Sequence, residues 1–190
     1  MLIRRMEDLD VEPVVELVLA NYDGVMARHH SAEILAGFRA EMTPQFFREQ
    51  MTWKLVFVAE EAGEVVATGA LADFGTTDRP KYSVSQFFVR SNVHRRGIGR
   101  QVLAHLIAAA SDTGTDELHV PSSRNAIPFY EHAGFVVDAL QPDAEIEMTW
   151  MTKPLGPGSA ERGQRASRLE LRSFDAGDLE PVQHSVPRRP

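Results

Sequence analysis

The sequence contains no cysteine, and this absence excludes several kinds of chemistry at once. A disulfide framework, a thiolate metal site and a cysteine nucleophile all require the missing thiol. The chain also lacks a long hydrophobic run, because its most apolar helical stretch, residues 102–110, is half as long as a membrane span and contains His105. Catalysis therefore has to use other groups, and no membrane partner is expected.

The sequence also lacks a signal-peptide pattern and an excess of positive charge. Four carboxylate side chains lie between residues 7 and 12, so the amino-terminal segment has no apolar signal-peptide core and we expect a cytoplasmic protein. Positive charge is not in excess, since 20 Lys and Arg stand against 27 Asp and Glu, for a formal net charge of −7. Nucleic-acid binding depends on a surplus of cationic side chains, and we therefore expect no nucleic-acid partner.

The 190 residues, of which 43% are hydrophobic, are enough for one substantial core. Apolar periodicity and turn signals predict strand, helices, three strands, helix, strand, helix and two strands over residues 1–154. The second and third strands form a hairpin that turns at 61–64, with Gly63 in the turn. The later elements are a short strand at 118–120, a short helix at 125–133, a strand at 135–139 and the last strand at 146–152. This order describes an α/β domain with a mixed sheet of about seven strands. Residues 21–43 have a weaker helical pattern, interrupted by Gly24 and Gly37, and are predicted to form a helical segment that covers the substrate.

A glycine turn joins the strand predicted at residues 82–89 to the best-defined helix, residues 99–113. The turn reads His94-Arg95-Arg96-Gly97-Ile98-Gly99-Arg100. Glycines let a backbone approach a phosphate closely, while the unpaired N–H groups and the dipole of the following helix favour an anion. The three arginines add positive charge. This pattern is typical of a pyrophosphate-binding turn.

The turn by itself leaves other interpretations open. A dinucleotide-binding fold would use a similar Gly-x-Gly, but Val102 stands where the third glycine is needed, and Asp116-Glu117 precedes its strand instead of ending it. A Walker phosphate loop is excluded because no Gly-Lys-Ser/Thr follows. A glycine-capped turn with surface arginines is as compatible with the turn as a phosphate site.

A second motif follows the helix and reads Asn125-Ala126-Ile127-Pro128-Phe129-Tyr130-Glu131-His132-Ala133-Gly134-Phe135. In order and spacing, the two motifs resemble those of the GCN5-related N-acetyltransferase (GNAT) superfamily. That family has a phosphate signature Gln/Arg-x-x-Gly-x-Gly/Ala and a later aromatic-Tyr-x-x-x-Gly-Phe run. The resemblance covers residues 2–154, with His94 departing from the usual Gln or Arg. It implies a GNAT-like acyl-CoA N-acyltransferase fold with helices on both faces of the sheet.

The resemblance implies transfer of an acetyl group from acetyl-CoA, as co-substrate and without a metal, to a primary amine of a small molecule. The amine would attack directly in a ternary complex, and a homodimer is compatible with this activity. Tyr130 would give a proton to the departing CoA thiolate, and a backbone N–H near Val89 would stabilise the oxyanion. The positions implied to bind CoA are Phe88, Val89, His94, Arg95, Arg96, Gly97, Ile98, Gly99, Arg100 and Asn125.

Several assignments keep an alternative. Tyr130 is also explained as a core tyrosine, and Asn125 as the cap of a short helix. Many relatives carry a Glu on the fourth strand where this chain has Ser83, Ser85 and Gln86, so the amine proton would leave through ordered water or through Asp73, which a solvated turn explains equally well. His29-His30 lacks partners at metal-ligand spacing, so a place on the surface or in the acceptor pocket is expected.

The alternative functions are acetylation of a protein N-terminus or lysine, and CoA binding by a regulator without catalysis. After residue 154 a polar stretch rich in glycine predicts a flexible linker at 155–168. In the tail, 169–190, residues 171–182 can be laid over residues 3–14 without gaps. The tail is therefore predicted to resemble the start of a second, truncated GNAT module, and chance similarity within a short polar segment is the alternative.

Overall fold

The computed structural model describes residues 1–76, 79–138 and 148–156. Seven strands occur in these ranges: β1 (Leu2–Arg5), β2 (Leu55–Glu61), β3 (Glu64–Asp73), β4 (Tyr82–Val89), β5 (Glu117–Ser123), β6 (Val136–Val137) and β7 (Met148–Pro154). Five α-helices accompany them: α1 (Val11–Gly24), α2 (Ala32–Glu41), α3 (Pro44–Trp53), α4 (Ile98–Asp112) and α5 (Ile127–His132). None of the helices in these ranges has the length and apolarity to cross a membrane.

The seven strands form one mixed sheet in the order β1-β2-β3-β4-β5-β7-β6. All neighbouring strands are antiparallel except β4 and β5, which run parallel at the centre. The hairpin between β2 and β3 turns at Ala62 and Gly63, whose φ angles of 53° and 82° suit the right-handed twist of a tight hairpin. The predicted α/β class and the mixed sheet are therefore confirmed.

Helices cover both faces of the sheet, as the resemblance implies. On one face, α4 and α5 pack Val102, Leu103, Leu106 and Tyr130 against the sheet. On the other face, α1, α2 and α3 contribute a second cluster of buried side chains: Val11, Val14, Leu17, Val18, Tyr22, Leu35 and Phe47. At about 25 cal/mol per Å² of apolar surface, burial of these two clusters is the main stabilising term of the fold.

The centre of the sheet contains two irregularities that matter for the site. β4 has a bulge opposite β3, where the register shifts between Thr68 and Ala70, and Gln86 adopts a left-handed φ of 48°. The parallel ladder between β4 and β5 has one Cα pair in the described residues, Ser83 with His119, near the start of both strands. Beyond this pair the two strands continue without pairing each other, which leaves an opening at their carboxyl ends.

The helical segment expected at residues 21–43 proves to be three elements. α1 extends to Gly24, a 3-10 turn spans Met26–Arg28, and α2 begins after Ser31, whose hydroxyl accepts a hydrogen bond of 3.3 Å from the Ile34 amide. This side-chain cap starts a helix whose apolar pattern is weak.

Several predicted boundaries need correction. The segment predicted as a helix at 125–133 begins with a 3-10 turn and is an α-helix only from Ile127. Pro128 explains this start, because proline fits the first turn of an α-helix but not its interior. β5 is longer than predicted, and β6 is limited to two residues. Residues 139–147, which were expected to end one strand and begin the last, lie outside the described residues. The same holds for residues 157–168 of the expected linker and for the tail at 169–190.

Candidate active site

A cleft of about 1390 Å³ opens at the carboxyl ends of β4 and β5. Its wall includes all eleven positions predicted from the sequence: Phe88, Val89, His94, Arg95, Arg96, Gly97, Ile98, Gly99, Arg100, Asn125 and Tyr130. In open α/β sheets, ligands bind outside the carboxyl ends of parallel strands, and this cleft lies at that place. The structure therefore brings all of the predicted positions to one site.

The glycine turn has the backbone geometry of an anion-binding loop. Arg95 and Gly97 have φ angles of 63° and 81°, and residues in this left-handed region can turn neighbouring amides toward a common point. The first backbone bond of α4 reaches from the Gln101 amide to the Gly97 carbonyl, at 3.1 Å. The amides of the first helical turn precede this bond and have no intrahelical acceptor, so they are suited to a phosphate.

Two side chains of the turn bind neighbouring elements. The Nε2–H of His94 donates to the carbonyl of Val89, at 2.9 Å, and so fastens the turn to the end of β4. Arg96 forms an ion pair of 2.9 Å with Glu61 in the hairpin between β2 and β3. The His94 side chain therefore has a structural contact within the site. The Arg96 guanidinium is paired with Glu61, so less of its positive charge is available to a ligand.

The charge of the cleft differs in sign from the charge of the chain. Among the lining residues that the structure describes there is no Asp or Glu, whereas six are His, Lys or Arg: His94, Arg95, Arg96, Arg100, His132 and Lys153. This local excess of positive charge suits a polyphosphate in a protein whose formal net charge is −7.

Tyr130 is held by other aromatic rings at the edge of the cleft. Its ring centroid lies 5.1 Å from Phe129, 5.6 Å from Phe135 and 6.1 Å from Phe87, in edge-on or tilted arrangements. Only 5% of its surface is exposed. Burial raises the pKa of the Tyr130 phenol well above its ordinary value, so the hydroxyl stays protonated at neutral pH.

The opposite part of the cleft is an apolar chamber between α1, α2 and β4. We define the apolar chamber by the side chains Tyr22, Val25, Met26, Phe38, Met42 and Phe88. Phe87 and Val89 pack toward α4, whereas Phe88 packs with α1 and its cluster, so the chamber lies on the other face of the sheet from α4. The opening between β4 and β5 connects it to the glycine turn.

The bulge of β4 places polar groups without partners in this wall. The hydroxyl of Ser85 and both amide atoms of Gln86 are buried and make no hydrogen bond within the described residues. Such groups cost about 1–3 kcal/mol each when nothing satisfies them, so they point to a ligand or an ordered water at the bulge. From the sequence, Ser85 and Gln86 are distinguished only as residues that stand where many relatives carry a Glu, because the strand pattern contains no signal for the bulge.

The remaining candidates are also placed by the structure. Asn125 lines the cleft and is exposed, whereas the residue that caps α5 is Ala126, so the interpretation of Asn125 as a helix cap is wrong. One carboxylate oxygen of Asp73 accepts hydrogen bonds of 2.8 Å from the backbone amides of Gly75 and Lys81. Asp73 therefore acts as a turn residue, and it does not line the cleft.

None of the histidines is placed in a metal site by the described residues. His29 is exposed and His30 buried, neither lines the cleft, and the described ranges contain no group of three metal-ligating side chains. His119 bonds Thr152 and Glu117, each at 3.0 Å, which is the structural role expected for a strand histidine.

Comparisons with solved structures agree on the fold. The chain is 15% identical to PaiA N-acetyltransferase from Thermoplasma acidophilum, solved in complex with coenzyme A, over 81% of this chain and 98% of that one, with a TM-score of 0.70. The chain is 21% identical to yncA from Salmonella typhimurium, solved with its cofactor acetyl-CoA, over 82% of this chain and 94% of that one, with a TM-score of 0.62. It is 23% identical to ribosomal-protein-alanine N-acetyltransferase from Brucella melitensis, over 82% of this chain and 100% of that one, again with a TM-score of 0.62.

The sequence itself matches the family described as Acetyltransferase (GNAT) domain over residues 26–155. No curated protein matches the chain significantly in sequence. The family match extends from the end of α1 to the residue after β7 and therefore includes both motifs and most of the cleft wall. The chain belongs to the GNAT family and is an acetyltransferase of the GNAT type.

Proposed function

We propose that the protein transfers the acetyl group of acetyl-CoA to the primary amine of a small molecule, by direct attack in a ternary complex. The observation that supports this proposal is the continuity of one cleft, which joins the glycine turn, the opening between β4 and β5, and the apolar chamber. A thioester in the opening would have its phosphates on one side and its acceptor on the other. Acetyl-CoA supplies the activated acyl group as this thioester.

The residues present fit coenzyme A. The amides of the first turn of α4 and the left-handed Arg95 and Gly97 suit the pyrophosphate, and Arg95 and Arg100 add charge beside it. Past Ser83 the edge of β4 is free of β5, so its backbone groups are available to the amides of the pantetheine arm. Asn125 lies on the other side of the opening, where its side chain is suited to bond the same arm.

The chemistry assigns one role to each group. The neutral amine nitrogen attacks the carbonyl carbon, forming the C–N bond, and the C–S bond breaks. A backbone N–H near Val89 stabilises the negative charge that develops on the carbonyl oxygen. Tyr130, whose phenol is protonated at neutral pH, gives its proton to the departing sulfur and recovers one from solvent. The proton released from the new amide nitrogen passes to water.

Gln86 and Ser85 are proposed to hold the attacking amine. Their unpartnered amide and hydroxyl groups can accept from the amine N–H groups, and neither removes a proton. Water at the bulge then takes the proton, which is consistent with the absence of Asp and Glu from the described part of the cleft lining.

A small acceptor fits the chamber better than a protein does, because α1, α2 and β4 surround it. Thiol release from acetyl-CoA with a panel of primary amines and a peptide beginning with alanine tests this choice. Release with small amines and not with the peptide supports the proposal. Release with the peptide alone would favour protein acetylation, and CoA binding without any release would favour a regulator.

Replacing His94 by Ala should weaken CoA binding about 2- to 10-fold, because one hydrogen bond of about 0.5–1.5 kcal/mol no longer fastens the turn to Val89. Titration calorimetry with CoA measures the change. His132→Ala is the matched control, since His132 also lines the cleft but bonds its own helix at the Pro128 carbonyl. An unchanged Kd for His94→Ala would contradict the role given to this contact.

Replacing Tyr130 by Phe should lower kcat by roughly 10²-fold, because a general acid contributes about that much or more. The Kd for CoA should stay within about twofold, since the aromatic packing is kept. Tyr82→Phe is the matched control, because it removes the same hydroxyl group from a tyrosine that does not line the cleft, and it should leave turnover unchanged. Full turnover in Tyr130→Phe would show that the acid is another group.

Replacing Gln86 by Met should raise the free energy of unfolding by about 1 kcal/mol, because an unsatisfied buried amide is removed at similar volume. The same change should raise the KM for the amine roughly tenfold without altering the Kd for CoA. Chemical denaturation and steady-state kinetics measure the two effects, with Gln101→Met on the exposed surface of α4 as the control. Loss of stability with unchanged KM would assign Gln86 a structural role instead.

A further inference from the structure

The apolar chamber is built from aromatic, thioether and aliphatic side chains whose packing is specific. The rings of Tyr22 and Phe38 stack with centroids 6.2 Å apart, and the rings of Tyr22 and Phe88 meet edge-on at 5.6 Å. Tyr22 and Met42 are buried, while Val25, Met26 and Phe38 are half-buried and form the exposed part of the wall. Such a wall gains free energy from alkyl and aryl groups and offers little to a charged one.

The phenol of Tyr22 does not introduce an anion into this wall. Burial, and to a smaller extent the negative charge of Glu41, raise the pKa of Tyr22 far above its ordinary value. The hydroxyl is therefore neutral at physiological pH. Glu41 lies at the end of α2 and is not part of the cleft wall.

Polarity is concentrated at one end of the chamber. Ser85 and Gln86, whose buried polar groups have no hydrogen-bond partner in the part of the chain that the structure describes, lie at the bulge of β4. The side-chain amide nitrogen of Asn21 donates a hydrogen bond of 2.9 Å to the carbonyl of Leu17. A ligand that satisfies this wall has a hydrogen-bonding head at the bulge and an apolar body beneath α1 and α2. A second ammonium group on that body would lose its hydration against apolar side chains.

We propose that the acceptor is a primary amine on an apolar alkyl or aryl body that carries no second positive charge. This inference rests on the proposed function and specifies its substrate class. Diamines, polyamines and the amino groups of basic peptides are therefore poor acceptors, because none of the six side chains that define the apolar chamber carries a negative charge that could pair with the additional ammonium.

The deciding comparison uses hexylamine and 1,6-diaminohexane, which share the reacting group and the chain length and differ in one terminal ammonium. We expect kcat/KM to favour hexylamine on the order of 10²-fold, with 2-phenylethylamine at least as good as hexylamine. Thiol release from acetyl-CoA at fixed pH and ionic strength measures all three.

A pair of variants isolates the effect of charge in the wall. Phe38→Glu and Phe38→Gln have the same size and shape and differ by one negative charge at a half-buried position. The ratio of kcat/KM for the diamine over hexylamine should be about tenfold higher in Phe38→Glu than in Phe38→Gln, because the carboxylate pairs with the distal ammonium. Retained CoA binding shows that the variants are folded, and Val25→Glu with Val25→Gln replaces the pair if either fails.

The outcomes separate this inference from the proposed function. The inference is supported if the enzyme acetylates hexylamine and hardly acetylates the diamine, and if Phe38→Glu raises the ratio of kcat/KM for the diamine to that for hexylamine. Equal or faster transfer to the diamine would overturn the substrate class while the proposed function stands. CoA binding without transfer to any amine would overturn the proposed function and the substrate class with it.

Discussion

The incomplete pairing of β4 with β5 is the constraint on which the rest of the site depends. Each of these strands has an antiparallel partner on its other side, β3 for β4, apart from the bulge, and β7 for β5, while the parallel ladder between them has the single pair Ser83 and His119. The outer partners hold the two strands in place, so the opening can persist without collapse. An edge of unpaired backbone at the centre of a sheet is otherwise a liability, and a ligand with amide groups can satisfy it.

The site also carries local conformational cost. Arg95 and Gln86 hold left-handed backbone conformations without being glycine, and such conformations cost of order 1–3 kcal/mol each. Gln86 and Ser85 add buried polar groups that have no hydrogen-bond partner among the described residues. The two apolar clusters on the faces of the sheet stabilise the fold enough to tolerate these features, which lie together in one cleft. Strain gathered at one place is typical of positions kept for binding and catalysis.

Local sequence signals predicted those parts of the fold that depend on local chemistry. The Gly97 turn, the Gly63 hairpin and the helix after the turn require particular residue types at particular places, and the structure has them. The aromatic-Tyr motif likewise located Tyr130 in a short helix beside the cleft.

Other features depend on contacts between distant residues and could not be read in this way. The ion pair of Arg96 with Glu61 joins residues 35 positions apart, and the bulge at Gln86 follows from the register between β3 and β4. The apolar chamber takes side chains from α1, α2 and β4, and the pattern in α2 is too weak to show which face is turned toward the substrate. The sequence shows that His94 departs from the family signature, but only the structure shows its hydrogen bond to the Val89 carbonyl.

A crystal structure of the protein in complex with CoA most directly tests where coenzyme A binds. We expect the pyrophosphate oxygens within hydrogen-bonding distance of the backbone amides of residues 96–100, and the pantetheine arm between the carboxyl ends of β4 and β5. The sulfur should then lie beside the Tyr130 hydroxyl, at the entrance to the apolar chamber. Coenzyme A bound elsewhere, or β4 and β5 closed into a continuous parallel ladder in the complex, would contradict the account.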